Sequence, residues 1–418
     1  MYVSTVGYVL RLPANLNRAA TPLGVFRYRA FAFVWGSTTL VSIGTQMESA
    51  VLGWFMLTLT DSPFLVGAIA GARMAMNFLA IFAGAIIDLL PRNWILSAVE
   101  FVMGSLGLLM LMLILSGWLE VWHIFAITLL MGVIRLFQMP TAQSLVADTL
   151  PTERLSNGAA FNTIAMNLAM LLGPVIGGVL FKAFGPQGAY LVIAALYLSS
   201  GFMATGIGRT SGRSSPRTES VIRTVGHGLR YALGNQVIWA VLAIAVIINL
   251  AGWTLHTSLA PIFARDVLGT DSVGLGLMLF AFGSGALAGS VSWAMVPRLN
   301  RAGKLLIVAV FMWHATILLF SLSQWFYLSL AILVLVGASF ASTQALILTL
   351  LLRATQAEFR GRVMSLRSFA ILAYSFGTMG AGALAGLWGA PAAAQVVGVT
   401  GITLLVLLAV AAPKLRQA

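Results

Sequence analysis

Gly132-Val133-Ile134-Arg135-Leu136-Phe137-Gln138 places an arginine inside an apolar run. A short polar connection follows, Asp148-Thr149-Leu150-Pro151-Thr152-Glu153-Arg154. A second apolar run then carries Gly173-Pro174-Val175-Ile176-Gly177-Gly178. Membrane insertion resists a charge such as Arg135, so an arginine there points to a water-filled path or a buried partner. Proline next to glycines predicts a helix break. The whole stretch reads as the working part of a membrane-embedded machine.

Composition supports a lipid environment. Charged residues are 8% of the 418 residues and hydrophobic residues 60%, whereas soluble domains carry about 25% charged residues. Too few charges exist to wet a globular surface of this size. Many apolar runs reach the roughly 20 residues needed to cross the hydrocarbon core as helices. The alternating strands of an outer-membrane barrel are absent. With no Cys, disulfides and thiolate metal sites are excluded. A net charge of +13 suggests nucleic acid in a soluble protein, but here the basic residues sit between apolar runs, and no nucleic-acid partner is expected.

Twelve spans can be drawn: about Phe31–Thr58, Phe64–Ile87, Trp94–Ser116, Val121–Ala142, Gly158–Phe181, Gln187–Ile207, Val237–Ile262, Val273–Val296, Lys304–Ser323, Trp325–Leu351, Val363–Trp388 and Ala392–Ala412. With the N-terminus in the cytoplasm, the outer loops hold only Lys182 and Arg265 of the 24 Lys and Arg. Arg73 and Arg135 fall inside spans, and the others, Arg367 among them, are assigned to the inner side. This asymmetry orients the chain with both termini cytoplasmic. Residues 1–29 form the expected N-terminal cytoplasmic segment; with no convincing cleavage site after Val3–Leu10, it is not read as a signal peptide. Residues 30–207 form a first bundle of six helices and 237–412 a second. Residues 208–236 are a cytoplasmic linker whose Val221–Tyr231 spacing suits an amphipathic helix on the anionic leaflet. Residues 413–418 are a tail. The halves echo each other: Pro151-Thr152-Glu153-Arg154 and Gln356-Ala357-Glu358-Phe359-Arg360-Gly361-Arg362 occupy equivalent connections.

Ionisable groups in spans are the first functional candidates: Glu48, Arg73, Glu100 and Arg135. Counting at 1.5 Å per residue, Glu48 is about ten residues from the outer end of its helix, Arg73 about nine and Arg135 about fourteen; Glu100 is about six from the inner end of its helix. Glu48 can therefore meet Arg73 or Arg135, and Glu100 lies at a depth where Arg135 can also reach it. Such pairs are either fixed ties between helices or a proton switch, in which a carboxylate trades its arginine for a proton. Gln46 and Gln138 are expected to line the same cavity. The second half shows no comparable buried charge, so its wall is expected from Asn249, Trp253, Phe280 and Gln344, the aromatics being packing or lipid-facing residues in the alternative reading. Asp88 ends the second span and either caps the next helix or pairs with Arg92. The glycines and Pro174 read as a packing motif or as a bent helix lining the interface between halves. No phosphate-binding loop, metal-ligand cluster or nucleophile elbow is present, so no cofactor and no enzymatic activity are expected.

From about Arg27 to Ala412 the chain resembles the major facilitator superfamily, and within it the bacterial drug and siderophore exporters of the enterobactin-exporter and macrolide-efflux type. The likeness rests on Gly84-x-x-x-Asp88-x-x-x-Arg92, Arg135, Gly173-Pro174-x-x-Gly177-Gly178 and Arg360-Gly361-Arg362-Val363-Met364-Ser365. It implies an all-α membrane fold of two six-helix bundles, alternating access, and gating by Gly84, Asp88, Arg92, Gly173, Pro174, Gly177, Gly178, Glu358, Arg360 and Arg362. The glycine-proline element is similar to the antiporter signature, which implies export. Leu89, Pro91 and Asn93 stand where the family's first cytoplasmic motif carries basic residues, and Ala165 and Ala169 replace upstream glycines. The expectation is a monomeric inner-membrane exporter whose partners are protons, lipids and an amphiphilic small molecule. A proton-independent facilitator, importer or lipid flippase is the rival within transport, and a membrane sensor or scaffold the rival outside it.

Overall fold

The computed structural model describes residues 22–79, 87, 90–208, 221–295 and 301–418. The first half contains α1 (Arg29–Thr60), α2 (Pro63–Ala75), α3 (Arg92–Ser116), α4 (Val121–Thr149) and α5 (Leu155–Thr205). The linker helix is α6 (Val221–Gly234). The second half contains α7 (Gln236–Ile247), α8 (Ser272–Ala294), α9 (Ala302–Ser321), α10 (Phe326–Ala354), α11 (Arg360–Phe369) and α12 (Leu372–Ala411). Among the described residues nine helical stretches are long and apolar enough to cross a membrane, and α2 is a shorter apolar helix. Two of the nine are broken, at Gly185 (φ 68°) and Gly389 (φ 83°). Only glycine adopts these φ values without strain, and Pro186 and Pro391 follow closely, where a new helix tolerates a missing N–H. Each broken stretch is therefore two passages, in agreement with the twelve spans expected.

Local chemistry fixes the helix starts. Ser62 accepts from the Leu65 N–H ahead of Pro63, Asn235 from Val237 and Ile238, and Asp271 from Val273 and Gly274. Each supplies acceptors for amides that a helix N-terminus leaves unpaired. In the first bundle α5 packs along α1 and α3; in the second, α10 packs on α8 and α9, and α9 on α12. The halves meet mainly where α2 lies on α12 and α5 on α8.

One face of the molecule, here termed proximal, gathers Pro22–Arg27, α6 and the C-terminal turn Pro413–Gln417; Gly303 donates to the Ala418 carbonyl and Lys414 to the Gln236 side chain. The opposite, distal face carries the turns at Asp61, Gly185, Gly269 and Gly389. Among the described residues, close contacts between the bundles gather toward this face. A Cβ on Gly67 would meet the Thr378 carbonyl oxygen and the Gly382 Cα, one on Gly276 would lie 2.8 Å from the Pro174 oxygen, and one on Gly178 would meet the Ser272 oxygen. Ser272 donates to the Gly178 carbonyl at 2.8 Å and Ser375 to the Gly71 carbonyl at 2.9 Å. Two ion pairs flank the seam: Lys182 with Asp271 at 2.7 Å and Arg265 with Asp61 at 2.6 Å. Small residues let the backbones approach this closely.

Three expectations need correction. The helix backbone runs through Pro174 without a break, and the break falls at Gly185. Gly173 and Gly177 hold that segment against α1, where a Cβ would lie 2.8 Å from the Gln46 Cβ and 2.9 Å from the Met47 Cγ. The eleventh span divides into α11 and α12 at Ala370–Ile371, and Arg360-Gly361-Arg362 opens a helix instead of preceding one. Beyond Ile247, α7 continues through widened π turns at Ile248–Gly252, Leu255–Leu259 and Phe263–Val267, which hydropathy does not reveal. The linker helix forms where its spacing predicts, and part of it docks on protein: Tyr231 stacks on Phe359 at 4.1 Å, and the Gln356 N–H donates to the Tyr231 hydroxyl.

Candidate transport site

Glu48, on α1, is 2% exposed. Arg135 Nη2, from α4, donates to its Oε2 at 2.7 Å, and the Tyr197 hydroxyl, from the second limb of α5, donates to the same oxygen at 2.8 Å. Arg73 Nη1, from α2, lies 3.7 Å from Oε1, and its Nη2 reaches the Thr45 carbonyl at 3.4 Å. One carboxylate thus ties four passages together. A carboxylate has about four lone-pair sites and accepts from several donors at once, which is how two arginines share a single acid. Gly132, one turn before Arg135, permits the approach: a Cβ there would lie 3.2 Å from the Arg73 carbonyl oxygen.

The arginines line a cavity of about 370 Å³. Gln46, Asn77, Gln138 and Asn167 supply its polar wall, and Met74, Met139, Met166 and Met170 its apolar wall. Glu48 sits behind them. Gln46, Gln138, Arg73 and Arg135 are thus brought together as the sequence reading places them.

Glu100 is not part of this group. It is fully buried and accepts from Ser37 at 2.8 and 2.9 Å and from Ser200 at 2.6 Å. Among the described residues no arginine lies within ion-pair distance of it. Depth along the membrane normal does not specify the face of a helix, and Glu100 faces α1 and the last passage of the first bundle, away from Arg135. Tyr197, Ser37 and Ser200 were not singled out from sequence; their signal is a hydroxyl inside an apolar span.

A second cavity of about 220 Å³ lies in the C-terminal half. Asn249, Trp253 and Gln344 line it, as expected. Phe280 does not; it is 40% exposed on α8. Arg367 lines this cavity as well, which corrects both its assignment to the inner loops and the reading of this half as free of charge. Among the described residues its Nη2 meets only the Gln344 Oε1, at 3.5 Å. Asn249 sits in the first π turn of α7 and donates to the Ala245 carbonyl at 2.8 Å.

Of the gating candidates, Gly84 and Asp88 lie outside the described residues. Arg92 donates to both oxygens of Asp148, at 3.0 and 2.8 Å, tying the start of α3 to the proximal end of α4. Gly173 and Gly177 pack on α1, while Pro174 and Gly178 face α8, so one element serves both intrabundle packing and the interface. Glu358 and Arg360 are exposed. Arg362 lies over the Phe359 ring at 5.2 Å and beside Gly228 of the linker helix. Among the described residues no group of three His, Cys, Asp or Glu is placed to hold a metal ion.

Two helical bundles joined along a glycine-rich seam, with polar cavities inside, define a multi-pass membrane transporter. The chain belongs to the major facilitator superfamily: the model of its transmembrane secretion effector family matches residues 20–417. It is 21% identical over 327 residues to the MFS-type transporter YkuC of Bacillus subtilis (strain 168), covering 74% of this chain and 75% of that protein. It is 27% identical over 190 residues to MdtD of Escherichia coli O81 (strain ED1a), a protein named for multidrug resistance; that match covers 44% of this chain and 39% of MdtD. Its fold is similar to that of a bacterial homologue of the human lysosomal transporter Spinster in an inward-facing, unoccupied conformation, with a TM-score of 0.72, 13% identity, and 94% of this chain and 96% of that chain covered.

Proposed function

We propose that this transporter is a monomeric secondary exporter of the inner membrane, with both termini cytoplasmic, that expels amphiphilic small molecules in exchange for protons. The observation that carries the reading is the Glu48 carboxylate shared by Arg73, Arg135 and Tyr197 at the wall of a methionine-lined cavity. Arginine stays charged at every accessible pH. A carboxylate released from it by a helix movement takes up a proton, and the freed arginine then faces the cavity. Proton uptake is thereby linked to the exchange between the distally sealed arrangement and one open on that side. Methionine side chains adapt to ligands of different shape, which suits a drug- or siderophore-like substrate range. The Gly178–Ser272 and Gly67–Gly382 contacts are the proposed distal gate, and Arg92–Asp148 part of the proximal one.

Proteoliposomes containing the full chain test the coupling. An imposed pH gradient is expected to drive substrate accumulation in the wild type and none in Glu48→Gln, while the variant inserts normally. Undiminished gradient-driven transport in Glu48→Gln removes Glu48 from the mechanism. The burial of Glu48 among three donors also favours a second reading, a proton-independent facilitator in which the ion group is a fixed tie. Wild-type transport indifferent to the pH gradient establishes that alternative.

A further inference from the structure

We propose that the transported molecule carries an anionic group, and that Arg367, with Gln344 and Asn249, is the site that receives it. The proposal rests on the transport reading above and specifies its substrate class.

Arg367 is half-buried in the C-terminal cavity, and among the described residues no carboxylate lies within 4.0 Å of it. Its single hydrogen bond, to Gln344 at 3.5 Å, is at the limit of such contacts. A guanidinium in an apolar span is costly unless it is paired or faces water, and its planar fork of donors matches carboxylate, sulfonate or phosphate oxygens. The two arginines of the first cavity, Arg73 and Arg135, are already engaged with Glu48. Among the described residues the first cavity therefore carries two positive charges against one negative, and the second a positive charge against none. Both repel a cation and attract an anion.

One cavity lies in each bundle, and the elements that line them meet at the interface. Gly71 and Ser375 are hydrogen-bonded across the bundle interface. On α2 the first cavity begins just proximal to that contact, at Arg73; on the other strand of the seam the second begins at Ile371 and Arg367. The turn Met76–Leu79 also touches α11. A molecule with an acidic head at Arg367 and an apolar body extending toward Met74 and Met139 would bridge the bundles. Trp253, held edge-on by Phe340 at 5.0 Å, offers a face for an aromatic group beside the head.

Thermal unfolding of the purified full-length chain tests this with three probes of one shape: naphthalenesulfonate, naphthalenesulfonamide and naphthylmethylammonium. A ligand that binds only the folded state raises the midpoint according to its affinity. The sulfonate is expected to stabilise the wild type in a saturable manner, and the neutral and cationic probes to do so at least about tenfold more weakly. Arg367→Gln is expected to lose that preference and Arg367→Lys to recover part of it; Gln344→Ala, which leaves the charge in place, is expected to weaken sulfonate binding without abolishing it. Equal shifts with all three probes, no shift with the sulfonate, or wild-type sulfonate affinity in Arg367→Gln overturns the proposal. Failure of the export reading looks different: the sulfonate preference persists while proteoliposomes ignore the pH gradient.

Discussion

The two cavities solve the problem of intramembrane charge in opposite ways. In the first, Glu48 answers two arginines and a tyrosine hydroxyl, so each arginine has an acid partner. In the second, Arg367 has one amide oxygen at 3.5 Å. A closed ion group ties helices together and responds only when they move. An unanswered guanidinium is left for a ligand. On the proposed reading the first site serves coupling and the second recognition.

The comparison breaks most readily at Glu48. Glu48→Ala leaves Arg73 and Arg135 uncompensated and is expected to cost about 3–5 kcal/mol, as for other broken buried pairs. Arg367→Ala removes a guanidinium whose one hydrogen bond among the described residues is the long contact with Gln344, and is expected to cost no more than about 1 kcal/mol. Denaturant unfolding of the purified variants reads both; similar losses at the two sites would erase the distinction between them.

A smaller effect is expected at the distal seam, where backbones of the two bundles lie close together. Gly178→Val pushes side-chain atoms against the Ser272 carbonyl, and overpacking costs about 1–3 kcal/mol. The sealed arrangement should lose population by roughly tenfold or more. The chain has no native cysteine, so crosslinking of Lys182→Cys to Asp271→Cys reports on the seam without background. An unchanged yield in the Gly178→Val background would show that the seam tolerates separation at this point.

A small effect is also expected at the exposed Lys182–Asp271 pair. The hydrogen bond from Lys182 holds the Asp271 carboxyl below its ordinary value of 3.8, with the Gly274 and Val273 amides adding to it. Because the folded-state value is the lower one, the contribution is complete above the unfolded value and fades as pH falls through the folded one. Lys182→Ala is expected to cost about 0.2–1 kcal/mol at neutral pH, and the difference from wild type should shrink in strong acid. A difference that grows on acidification has the wrong sign for this pair.

Much of this architecture was legible before any coordinates. Hydropathy and the loop charges gave the spans, and counting residues from span ends placed Glu48 near Arg73 and Arg135. The same count put Glu100 within reach of Arg135, and that failed because depth says nothing about azimuth. Arg367 was assigned to the inner loops for a related reason. It lies about two turns into a helix whose start the charged Arg360-Gly361-Arg362 concealed, and neither its burial nor its neighbours leave a mark in composition. Lys182 and Arg265, the two basic residues of the predicted outer loops, proved to be the two that bridge the bundles at the distal face.

The sequence by itself determined that the chain crosses a membrane many times and buries opposite charges at matching depths, because lipid enforces helix length and penalises every ion it meets. Only the tertiary structure decided which charge answers which, that the bundles meet closely at the distal seam, and that Arg367 lines a cavity. Those outcomes depend on the rotation and packing of each helix against its neighbours, which are set by contacts between residues far apart in the chain.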